Sequence, residues 1–144
     1  MEKERARASE MGYPDPINPN KEATDDLFNK ALAFCVENRE KISLVCGSHN
    51  EYSNQYLAGL MNLHGLDHRD KRVWFAQLLG MSDNISFNLA KAGFNVAKYV
   101  PYGPVEAVMP YLLRRAAENT SVAGQSSREL TFIRQELRRR KTSR

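Results

Sequence analysis

The chain has 144 residues, 42% hydrophobic and 26% charged, the size and make-up of one globular domain, which excludes a disordered or collagen-like polymer. No apolar run approaches the roughly 18 residues that a membrane-spanning helix needs, and Cys35 and Cys46 stand in no ligand-spaced pattern, so a disulfide framework and a zinc site lack support and a reducing compartment fits. The formal charge of +4 is modest, and much of the excess sits in the run Arg138, Arg139, Arg140, Lys141 and Arg144, which weighs against a nucleic-acid surface.

The opening stretch, Glu2 to Arg7, is charged and helical in character. It has no apolar core of a secretory signal, and its acidic residues argue against a transit peptide. Gly12, Pro14, Pro16 and Pro19 then predict a loop over Met11 to Lys21, because proline removes backbone donors and biases its predecessor away from helix. Thr24 is expected to cap a helix running to Val36, with Leu27, Phe28, Leu32, Ala33 and Val36 on its buried face. Ile42 to Cys46, closed by Gly47, reads as a buried strand. A second helix carries Tyr52, Tyr56, Leu57, Leu60 and Met61 as its apolar stripe, and Gly65 is expected to end it. The pattern repeats with a strand over Arg72 to Leu79, a helix over Asn84 to Ala92, and a strand over Asn95 to Val100. Pro104 suits the first turn of a further helix whose apolar face is Val105, Val108, Met109, Leu112, Leu113 and Ala116. Ser126 to Lys141, with Leu130, Ile133 and Leu137 at helical spacing, is expected to be a surface helix packing back on the domain.

Strands alternating with helices predict an α/β fold of parallel strands joined by crossover helices. A doubly wound sheet and a (β/α)8 barrel both satisfy the pattern. A barrel takes about 250 residues, so on that reading the chain supplies only part of one. Ligands bind at the carboxyl ends of the strands in both architectures. Those ends carry Gly47, Ser48, His49 and Asn50 after the first strand; Leu78 to Asp83 after the second; and Tyr99 to Pro104 after the third. Ordinary turns and helix caps use the same residue types, so position alone proves no site. His49 shares no metal-ligand spacing with His64 or His68. GxGxxG, GxxxxGK[ST] and GxSxG are all missing. Arg114 and Arg115, adjacent on a helix, point about 100° apart and can grip one carboxylate only if it lies across that helix; otherwise they are a solvated pair.

The run YVPYGPVEAVMPYLLRRAAEN from Tyr99 to Asn119, with GSHN at Gly47 to Asn50, QLLGMSD at Gln77 to Asp83 and the opening MEKERARASEMGYP, resembles the carboxy-terminal half of the proline dehydrogenase family. That family's signature is a Tyr, Pro and Gly loop leading into a helix with YLxRRxxEN, met here by Tyr111, Leu112, Arg114, Arg115, Glu118 and Asn119. The resemblance implies a distorted (β/α)8 barrel and FAD-dependent oxidation of L-proline to 1-pyrroline-5-carboxylate. It implies that Arg114 and Arg115 bind the substrate carboxylate and that Tyr99, Tyr111 and Leu78 wall the pyrrolidine ring, with Arg114, Arg115 and Tyr99 as the catalytic set. Ser48 and His49 would contact FAD, Asn20 and Lys21 would lie near its adenosine or phosphate end, and Glu118 would orient a guanidinium beside the cofactor. Further implications are proline over hydroxyproline, a membrane quinone as electron acceptor, and no metal. The location implied is cytoplasmic or peripheral to the inner membrane in a bacterium and mitochondrial in a eukaryote.

The expected organisation is a charged helix and Pro-rich loop over 1–23, βα units with the substrate-site helix over 24–120, and a basic helix over 121–144. The family barrel has eight strands, and earlier ones supply a lysine, an aspartate and an RGAY-like strand end. The chain is therefore expected to be a fragment missing the amino-terminal half of its barrel, with open sheet edges, an uncovered inner face and no turnover alone. The alternative is a small α/β interaction module whose basic tail binds a polyanion or a protein partner.

Overall fold

In a computed structural model of the chain, Asn20 rather than Thr24 begins the first long helix. The structure describes residues 1–121 and 125–142, and the side chains of 1–115 and 130–142. The short helix α1 (Glu2–Met11) ends at Gly12, and the Pro-rich loop leads to α2 (Lys21–Glu37). The Asn20 side chain accepts from the Ala23 amide at 2.8 Å, satisfying one of the free donors of the first turn. Thr24 lies inside that turn instead, its hydroxyl donating to the Asn20 carbonyl at 3.0 Å.

Three βα units follow. They comprise β1 (Leu44–Gly47) and α3 (Glu51–Leu63), β2 (Val73–Leu78) and α4 (Asp83–Lys91), then β3 (Val96–Tyr99) and α5 (Val105–Ser121); α6 (Gln125–Thr142) comes last. The strands form one parallel sheet in the order β1-β2-β3. The α/β class with parallel strands alternating with helices is thus as expected. Gly65, at φ 63°, ends α3 in the left-handed region that glycine enters without steric cost.

Alternation along each strand divides the sheet into two unlike faces. On one face, Cys46, Val73 and Phe75 meet Leu32 and Val36 of α2, Leu57 and Met61 of α3, and Phe94 in a single core. Phe75 is fully buried and meets Phe94 edge-on, their centroids 5.4 Å apart. His68 stacks on Phe94 at 4.0 Å, with one ring nitrogen 2.9 Å from the Ala92 carbonyl and the other 2.8 Å from Asn62 Oδ1. It is a structural histidine joining the ends of α3 and α4.

The other face bears Val45, Trp74, Leu78 and Tyr99, and it lies open among the described residues, with Val45 64% and Tyr99 54% exposed. Apolar residues on both faces of a strand are what a parallel sheet requires when it is covered twice. Here α2, α3 and α4 all sit on the Phe75 side, so only that half is buried.

Several predicted faces turn out differently. Leu27 on α2 and Tyr52 on α3 are exposed, while Ser53 and Asn54 take the buried positions of α3. On α5, Val105, Met109 and Leu113 stay exposed and Leu112 only edges the cleft, because this helix meets the strand-end loops through Tyr111 and Arg115. Ala116 falls outside the described side chains. On α6, Leu130, Phe132, Ile133 and Leu137 are all exposed, and Phe132 edges a hollow between α3 and α4 beside Ile85 and Leu89. No described helix is long and apolar enough to cross a membrane.

Candidate functional site

The chemistry-bearing residues gather where the three strands end. Parallel strands all deliver their last residues to one rim, so the β1–α3, β2–α4 and β3–α5 loops are neighbours by topology. A cleft of about 400 Å³ opens there, lined by Leu78, Leu79 and Met81 from the second loop, Val100 and Pro101 from the third, and Tyr111, Leu112 and Arg115 from α5. Its size falls within the roughly 300–1,000 Å³ of small-molecule sites. Six apolar linings, one guanidinium and one phenol suit a small, mostly apolar ligand with one negative end.

Tyr99 and Tyr111 meet edge to face with centroids 6.0 Å apart, and the guanidinium carbon of Arg115 lies 5.2 Å from the Tyr111 ring centre. The sequence-predicted residues Leu78, Tyr99, Tyr111 and Arg115 are therefore brought together. Arg114 is not among the residues lining this cleft; it is exposed, one position along α5. Glu118 falls outside the described side chains.

Below the rim the open face carries a row of small residues. Gly47 pairs with Ala76, and Ala76 with Ala97, in register across all three strands. A Cβ added at Gly47 would meet nothing within 4 Å. The result is a flat shelf, edged on its rim side by Leu78 and Tyr99, which are themselves paired in register.

Ser48 and His49 stand at the end of β1. Ser48 Oγ accepts from the Asn50 amide at 3.1 Å, and the Asn50 side chain caps α3. His49 Nδ1 lies 3.0 Å from the hydroxyl of Ser82 in the next loop. Asn20 and Lys21 begin α2, which precedes β1; the Asn20 oxygen is engaged in capping, and Lys21 pairs with Asp25. No described contact joins Asn20 or Lys21 to Ser48 or His49.

A buried polar spine beneath the rim escaped sequence reasoning. Gln77 Nε2 donates to the Ser48 carbonyl and to Asn54 Oδ1, both at 3.3 Å, while Ser86 Oγ donates to Gln77 Oε1 at 2.8 Å. Asn54 Nδ2 donates to the carbonyls of Ser48, at 3.1 Å, and Asn50, at 2.7 Å. Gln77, Asn54 and Ser86 are all buried. The available signal was Gln77 itself, a polar residue at an inward position of an otherwise apolar strand. Lys98 on β3 grips the second loop from the same side, donating to the Met81 carbonyl at 2.8 Å and to Asp83 at 2.7 Å. Among the described residues, no group of three or more His, Cys, Asp or Glu is placed to hold a metal.

Comparison with known proteins places the chain in a family. The family model for proline dehydrogenase matches residues 1–128. The chain is 47% identical to human mitochondrial proline dehydrogenase 1 over 97% of its own length and 24% of that protein. It is 41% identical to hydroxyproline dehydrogenase of Xenopus laevis, over 97% of the chain and 31% of that protein. Among solved structures it resembles proline utilization A from Bdellovibrio bacteriovorus inactivated by N-propargylglycine, with a TM-score of 0.74 and 26% identity, covering 83% of this chain and 12% of that one. It thus spans roughly a quarter to a third of the curated relatives. On both the family match and the identity to these relatives, the chain belongs to the proline dehydrogenase family.

Proposed function

We propose that this chain supplies the substrate-carboxylate and ring-binding side of an FAD-dependent L-proline oxidation site, with 1-pyrroline-5-carboxylate as product. The observation that carries the reading is the convergence of Leu78, Tyr111 and Arg115 on one cleft at the strand ends, with Tyr99 packed edge-on to Tyr111. A carboxylate beside Arg115 gains a charge-assisted hydrogen bond, and the apolar walls receive the ring carbons. Arg114 would reach the same carboxylate from the solvent side if the ligand lies across α5.

The residues fit a flavin. The shelf of Gly47, Ala76 and Ala97 has room for a flat ring on the open face, and Ser48 and His49 border it from the end of β1. Asn20 and Lys21 are proposed for the adenosine or phosphate end, and Glu118 for orienting a guanidinium. FAD held there would supply the hydride acceptor for the ring carbon next to nitrogen. The chain's own part is placement and charge. Arg115 fixes the carboxylate and so the donor carbon, and its positive charge disfavours a protonated amine, easing loss of the nitrogen's proton. Tyr99, at the edge of the cleft, limits space for a ring hydroxyl and favours proline over hydroxyproline.

The open edges of β1 and β3 and the uncovered sheet face suit further strands of a (β/α)8 barrel. A mitochondrial location is proposed on the likeness to the mitochondrial relatives, and a membrane quinone as acceptor on the family resemblance alone. In the basic end, Arg139 and Arg140 both pair with Glu136, at 2.7 and 2.9 Å, which takes charge away from the polyanion-binding alternative.

The test is anaerobic mixing of L-proline with FAD-loaded protein in which this chain is joined to the strands that complete the proposed barrel. Bleaching of the flavin absorbance, strongly weakened by Arg115→Met, is the expected result. Unchanged bleaching in Arg115→Met would remove this residue from the site, and no bleaching in the parent protein would remove the activity.

A further inference from the structure

The β1–α3 and β2–α4 loops are joined by an unusual contact. Ser82 is the one described residue other than glycine with positive φ, at 50° with ψ 43°. A side chain in that left-handed region costs of order 1 kcal/mol or more, and such strain persists only where the surroundings enforce it. Ser82 is also buried, 6% exposed, although serine usually seeks water. Its position as the residue before α4 does not explain it, since its side chain makes no capping hydrogen bond there.

The surroundings show what holds it. The Ser82 carbonyl accepts from the Ile85 amide at 3.0 Å and the Ser86 amide at 3.2 Å, and the Ser86 hydroxyl is anchored to Gln77 in the buried spine. Lys98 fixes the preceding Met81 carbonyl from the side of β3. With the backbone held on both sides, the hydroxyl is delivered to His49 Nδ1 at 3.0 Å. A second link runs alongside it, Asn84 Nδ2 donating to Glu51 Oε1 at 2.8 Å. The Ser82–His49 contact joins the two loops and the Asn84–Glu51 contact joins the first turns of the helices that follow them.

We propose that Ser82 is a positioning residue: its strained backbone holds a hydroxyl against Nδ1 of His49 and so sets the imidazole ring towards the flavin shelf. This rests on the flavin reading above. An imidazole with one nitrogen held by a neighbouring hydroxyl has its ring rotation restricted, which sets the plane it presents to its surroundings. The same contact ties the loop bearing Ser48 and His49 to the loop bearing Leu78 and Met81, so the cofactor side and the substrate side share one support.

The experiment compares Ser82→Gly and Ser82→Ala in the full chain. Glycine removes the hydroxyl and relieves the strain; alanine removes the hydroxyl and keeps it. The first reading is the ring ¹⁵N shifts of His49 in protein labelled at histidine, assigned by loss of the signal in His49→Gln. The second is the dissociation constant for FAD. Both Ser82 variants should move the His49 ring shifts and weaken FAD roughly tenfold, the scale of one lost hydrogen bond. The glycine variant should melt above the alanine variant, since it alone relieves the strain. Ring shifts unchanged in Ser82→Gly would overturn the proposal while leaving the flavin reading intact. Ring shifts that move with no loss of FAD would overturn it too. In that case FAD retention by His49→Gln shows whether the histidine's flavin role falls as well, and a parent protein that holds no FAD would refute both readings together.

Discussion

The guanidinium carbon of Arg115 lies 5.2 Å from the centre of the Tyr111 ring, one helical turn earlier on α5. The arginine is thereby placed before any ligand arrives, because the ring face attracts the cation and narrows its rotamers. Such a contact is worth about 0.5–1 kcal/mol at a partly exposed site. If the cleft holds the carboxylate of L-proline as proposed, Tyr111→Leu in the completed barrel should raise the KM roughly two- to fivefold, and Tyr111→Phe, which keeps the ring face, should leave it near the parent value. Steady-state rates with a dye acceptor check both.

Tyr99 leads to a second expectation. It stands at the rim with its ring edge-on to Tyr111 at 6.0 Å, and the chain's relatives include proteins named for proline and for hydroxyproline. If its ring excludes a hydroxyl, Tyr99→Ser should narrow the preference for proline over hydroxyproline by one to two orders of magnitude in kcat/KM, the usual range for shape discrimination. An unchanged ratio would assign specificity elsewhere.

The buried spine makes a sharper stability prediction. Gln77 satisfies Ser86, Asn54 and the Ser48 carbonyl at once. Gln77→Leu fits the volume but takes the amide donor from buried Asn54 Oδ1, while the Ser48 carbonyl keeps Asn54 Nδ2 and the Ser86 hydroxyl can turn to the Ser82 carbonyl, so it should cost about 1–3 kcal/mol in urea unfolding. Ser86→Ala, which strands a single acceptor, should cost roughly 1–2 kcal/mol.

The alternation of helix and strand was legible because each element has its own hydrophobic period, and the strand-end residues followed from topology alone. What periodicity could not supply was which apolar residues would find cover. Val45 and Phe75 look alike in sequence, yet one is open and the other fully buried, because α2, α3 and α4 all lie on one face of the sheet. The start of α2 was misread for a local reason: Asn20 and Thr24 are both capping types, and spacing did not reveal which would sit outside the helix. In the site, the YLxRR pattern pointed to Tyr111 and Arg115. Ser82 and Asn54 were invisible because their roles depend on contacts made 33 and 23 positions away in the chain.

The two cysteines should behave differently. Cys46 is fully buried, and burial pushes its thiol up to about 12, so almost no thiolate exists at pH 8. Cys35 is half-buried on α2. An aromatic disulfide reagent at pH 8 should titrate one thiol in the folded protein and a second only on adding denaturant. Two equally fast thiols would show that the face of the core around Cys46 opens readily.

Acid stability turns on the link between α2 and the start of β2. Asp70 binds the Arg72 guanidinium at 2.8 Å, and the same guanidinium reaches the Arg39 carbonyl at 3.2 Å and Glu40 at 3.3 Å. The Arg72 hydrogen bonds hold the Asp70 carboxyl down to about 2, below its ordinary 3.8. A carboxyl depressed on folding binds its proton more readily in the unfolded chain. Its contribution is therefore complete above about pH 4 and lost as the pH falls towards 2. Asp70→Asn should lower stability at pH 7 and flatten the decline between pH 4 and 2, so that the two proteins converge at pH 2. Urea midpoints measured across that range test it. Parallel curves would mean that other carboxylates drive acid unfolding and that the Asp70–Arg72 pair contributes little to the junction.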